Sequence, residues 1–73
     1  MDRDAVEIAT RTYLTEMRVR LEKAASIAKA AEACAVSGNV AKGVEVALDI
    51  EQPIYEVTTI LNAASLIARL SQA

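Results

Sequence analysis

Four oxygen-bearing side chains recur at three- and four-residue spacing in the second half of the chain: Glu45, Asp49, Gln52 and Glu56. On a helix that spacing puts them on one side. Gathered carboxylates could hold Mg²⁺ or Ca²⁺, which take oxygen ligands, or pair across an oligomer for acid–base work. The periodicity favours a plainer outcome. Ile54 and Leu61 fall on the opposite side, so the acids read as a solvated ridge. Nothing near them would raise a carboxyl pKa in a cleft. No catalytic residue, metal ligand or cofactor site is expected. Histidine is absent, which removes imidazole ligands, Ser-His or Cys-His nucleophile pairs and a switch near neutral pH.

A second group is basic. Arg11, Arg18 and Lys29 follow a line on the first half, with Arg3 nearby. Such a line could contact nucleic-acid phosphates. Glu7, Glu22 and Glu32 interrupt it, and residues 1–36 hold six bases and six acids. No aromatic alternates with the basic residues to stack on bases. The whole chain has a net charge of −2. These features argue against nucleic acid as a partner.

The remaining polar chemistry is sparse. Cys34 is the single cysteine, so no intrachain disulfide can form. Among alanines it reads as a small hydrophobe. Tyr13 and Tyr55 read as packing residues with hydroxyls at a rim. Thr58, Thr59, Asn62 and Ser65 decorate a stretch nearly free of charge. There they either hydrogen-bond across an interface and fix its register or are simply part-exposed.

The elements that position these groups follow from two breaks. Gly38 suits the left-handed position after a helix, and Asn39 suits the cap of the next one. Pro53 is the other break. Before Gly38 the chain is rich in Ala, Glu, Arg, Lys and Leu, all good helix formers. It predicts one helix over about 4–36, opened by an Asp4/Glu7 capping box. Its length would be about 50 Å at 1.5 Å per residue. Glu7–Arg11, Glu16–Arg20 and Arg18–Glu22 are spaced to pair along it. Thr10, Leu14, Met17, Leu21, Ala24, Ala28, Ala31 and Ala35 form its small or apolar stripe, flanked by Val6, Tyr13 and Ile27.

A second stripe runs through Gly43, Val46, Ile50, Pro53, Ile54, Val57, Leu61, Ala64 and Ala68. It predicts a helix over about 40–72, kinked or broken at Pro53. Folding at the glycine brings level those residues whose numbers sum to about 78. The expected fold is therefore all-α: one domain over residues 1–73, an antiparallel hairpin of two long helices. A three-helix bundle is the alternative.

One hairpin cannot hide all the apolar surface. The 53% of hydrophobic residues includes fifteen alanines, no Trp and no Phe, so a lone core would be thin. Between Val57 and Ala73 the only charge is Arg69, whereas a surface helix normally carries a charged outer face. The chain is expected to pair with itself as a homodimer forming a four-helix bundle. The expected interface comprises Ile54, Val57, Ile60, Leu61, Leu66, Ile67 and Leu70. The stretch Val57–Ala68 is too short and too polar to span a bilayer, which needs about 20 apolar residues, so no membrane partner is expected. The charged opening Met-Asp-Arg-Asp does not resemble a signal peptide. With one unpaired cysteine, the expected location is cytoplasmic. The function these features suggest is a non-catalytic interaction, scaffold or regulatory module, possessing itself and another protein as partners. The alternative is a bundle binding a small ligand or divalent metal. A nucleic-acid-binding helical dimer ranks below both.

Overall fold

The structure is a computed structural model and describes residues 2–72. Helix α1 spans Arg3–Val36. It starts slightly earlier than the sequence suggests. The Asp2 carboxylate, not Asp4, caps it by accepting from the Asp4 amide at 3.3 Å. Glu7 turns back to Arg3 at 3.7 Å rather than forward to Arg11. The other two expected pairs form, Arg18–Glu22 at 2.9 Å and Arg20–Glu16 at 2.7 Å.

The turn after α1 is made by local chemistry. Gly38 has φ 103°, a conformation that side chains with a Cβ resist. Its amide donates to the Ala35 carbonyl at 3.0 Å, and the Asn39 amide donates to the Cys34 carbonyl at 2.9 Å. This pair of bonds is the Schellman arrangement, which satisfies carbonyls orphaned at a helix end. The Asn39 side chain then accepts from the Lys42 amide at 3.0 Å and starts the return arm.

That arm runs as α2 (Val40–Ala47), a 3-10 turn (Leu48–Ile50) and α3 (Glu51–Gln72). The irregularity lies before Pro53, not at it. Pro53 is the third residue of α3, where a missing amide proton costs no bond inside that helix. The tighter turn ahead of it absorbs the mismatch. Helices α2 and α3 both pack along α1 and not on each other. The arm is thus one re-pitched rod, and the fold is a two-arm hairpin rather than three helices packed together. Among the described residues there is no strand.

Packing is closest near the turn. A Cβ on Gly43 would lie 2.8 Å from the Ala31 carbonyl oxygen and 3.4 Å from the Ala35 Cβ. Further along, Arg20 bonds Glu56. Both contacts place the arms level where residue numbers sum to about 76, close to the expected register. The faces are rotated from expectation, however. Val6, Tyr13 and Ile27 are half-buried, while Leu14, Leu21 and Ala28 are exposed. On the return arm Ile60 and Ile67 turn inward, while Ile54, Leu61 and Ala68 are exposed.

The interior is small. Buried residues are Ala24 (6% exposed), Ala31 (9%), Gly43 and Pro53. No large side chain is fully buried among the described residues. The molecule is a narrow rod with extents of 54 × 14 × 12 Å.

Candidate functional site

The best-formed polar cluster bridges the arms at mid-length. The Arg20 Nε donates to Glu56 Oε1 at 2.8 Å, and its Nη1 donates to Glu16 Oε1 at 2.7 Å and to the Glu16 carbonyl at 3.0 Å. Gln52 Nε2 donates to the other Glu56 oxygen at 2.9 Å. These bonds, with Glu16 contributing most, raise the Arg20 pKa above its ordinary value. Glu56 is held below the ordinary carboxylate value by its bonds from Gln52 and then Arg20. An open recess of about 270 Å³ lies beside the cluster, lined by Arg20, Tyr55, Glu56, Thr59 and Ile60. Its guanidinium is already shared between two carboxylates.

The acidic ridge does not converge. Glu56 turns to Arg20 and Gln52, and Glu45 meets Lys42 at 3.4 Å. Among the described residues no three acidic or cysteine side chains gather to hold a cation. Cys34 is a free, half-buried thiol. The Thr58 and Thr59 hydroxyls donate to the carbonyls of Ile54 and Tyr55, at 3.2 and 3.1 Å. They are thereby satisfied within their own helix.

The expected interface residues fall into three places. Val57, Ile60 and Ile67 are half-buried between the arms. Ile54 and Leu61 are exposed on one broad side of the hairpin, while Leu66 and Leu70 are exposed on the other. The sides follow from helical phase of about 100° per residue, anchored by buried Ala24 and Pro53. Arg20, Tyr55 and Thr59 mark the recess side, shared by Leu66 and Leu70. Ile54 and Leu61 lie on the opposite side.

That opposite side also carries Leu14 and Leu21, which the stripe reading places in the hairpin core. A signal for them stands in the numbering. Leu14 and Leu21 are seven apart, as are Ile54 and Leu61, and the two pairs are level across the hairpin. Among the described residues, no helix is long and apolar enough to cross a membrane. Comparison with family models, curated proteins and solved structures gave no match.

Proposed function

We propose that this chain is a non-catalytic, self-associating helical module of the cytoplasm, whose hairpins pair into a four-helix bundle that scaffolds or regulates another protein. One observation carries the reading: among the described residues the isolated hairpin fully buries no large side chain, while large apolar residues from Ile8 to Leu70 stand exposed. Burying one Leu or Ile stabilises by about 1.5–3 kcal/mol, and a second hairpin supplies the missing layer. Static light scattering across a dilution series tests it. The expected mass at tens of micromolar is twice the single-chain value of 7.8 kDa. A single-chain mass with full helical circular dichroism overturns the reading.

A further inference from the structure

We infer that a second copy of this chain docks on the side carrying Leu14, Leu21, Ile54 and Leu61, about a two-fold axis lying in the interface and perpendicular to the helices. The inference rests on the self-association proposed above and adds the face and the symmetry.

The first support is area. The hairpin exposes 5366 Å². A compact monomer of its mass exposes roughly 4,400 Å². The excess is about 1,000 Å², and a standard interface covers about 800 Å² of each partner. The surplus therefore matches what one dimer contact removes.

Self-complementarity is the second. The four side chains are between 42 and 55% exposed. They mark the corners of a rectangle, Leu14 level with Leu61 and Leu21 level with Ile54. Its long edge is about 10 Å, seven residues at 1.5 Å each. A two-fold contact needs a patch that matches its own rotated image, and a rectangle does. Rotation about the perpendicular axis sets Leu14 on Leu21 of the second copy and Ile54 on Leu61. The two centres, near residue 17.5 on α1 and 57.5 on α3, agree within one residue with the observed register of the arms.

Charge at the two ends of α1 favours this axis over one running along the hairpin. On α1, Arg3, Glu7 and Glu32 lie within about 40° of Leu21, Arg18 about 60° and Lys29 about 80° from it. The perpendicular axis brings Arg3 level with Glu32 of the second copy, and Glu7 level with Lys29. Opposite signs meet at both ends, Arg18, already paired with Glu22 at 2.9 Å, comes level with its own copy near the axis, and α3 from Val57 to Ala68, which carries no charge, packs on itself. An axis along the hairpin would instead lay Glu32 and Arg18 on Val44 and Thr58.

Disulfide mapping tests the arrangement. Full-length chains carrying Cys34→Ser with Leu14→Cys or Leu21→Cys are refolded together and oxidised mildly. A disulfide needs Cα atoms within about 7 Å. The expected product joins the two kinds of chain, with neither kind joined to itself. Leu14→Cys mixed with Leu61→Cys should stay unlinked. Linkage in that second mixture, or linkage only through Leu66→Cys or Leu70→Cys, in a protein whose parent is dimeric overturns the face or axis while leaving self-association intact. A single-chain mass for the parent overturns both.

Discussion

Arg20 and Glu56 join the two arms by a 2.8 Å bond from guanidinium to carboxylate, the only ion pair between them among the described residues. Both side chains are partly exposed, so the bond orients the arms more than it holds them. It spans the arms at a rotation in which Ile60 is half-buried and Leu61 is exposed.

The pair has a pH consequence. Glu56 has a folded pKa below its ordinary 4.5. Its contribution is therefore complete above that value and is lost as pH falls through the lower, folded one. Glu56→Gln should lower the urea midpoint at pH 7. The gap from the parent should narrow as pH drops below 4.5, and also as salt is added. A gap independent of pH would show that the carboxylate charge contributes nothing.

Gly43→Ala tests the close approach of the arms. The new methyl would meet the Ala31 carbonyl at 2.8 Å, and backbone cannot swing aside as a side chain can. Overpacking costs about 1–3 kcal/mol, partly offset by up to about 1 kcal/mol of helix propensity. Thermal denaturation should show a lower Tm at matched concentration. A rise would mean the arms separate freely at the turn.

The turn depends on two residues in different ways. Asn39→Ala removes the bond to the Lys42 amide and should cost about 0.5–2 kcal/mol. Gly38→Ala meets no steric neighbour, yet its positive φ should cost about 1–2 kcal/mol. Chemical denaturation of each variant measures both values. Neutral effects would place the turn elsewhere.

Thr58→Ala and Thr59→Ala address the polar groups of α3. Their hydroxyls bond carbonyls of their own helix, so each change should stay within about 0.5 kcal/mol and leave the light-scattering mass unaltered. A change in mass would return these hydroxyls to an intermolecular role.

Helix, turn and arm length are legible in the sequence, because each depends on neighbours a few residues apart. Gly38 and Asn39 mark a left-handed stop and a cap whose partners are local, and the 3-4 spacing of small residues requires helices. The rotation of each rod was not legible. Apolar and alanine residues cover a wide arc of α1, so stripes centred on Leu14 and Leu21 or on Tyr13 and Ile27 satisfy the same periodicity. The choice came from contacts distant in sequence: Gly43 seated against Ala31, and Arg20 reaching Glu56 thirty-six residues away. Those contacts turned Leu14, Leu21, Ile54 and Leu61 outward. Pitch along a helix is a property of its own backbone, whereas the facing of one helix toward another is settled by what the second helix presents.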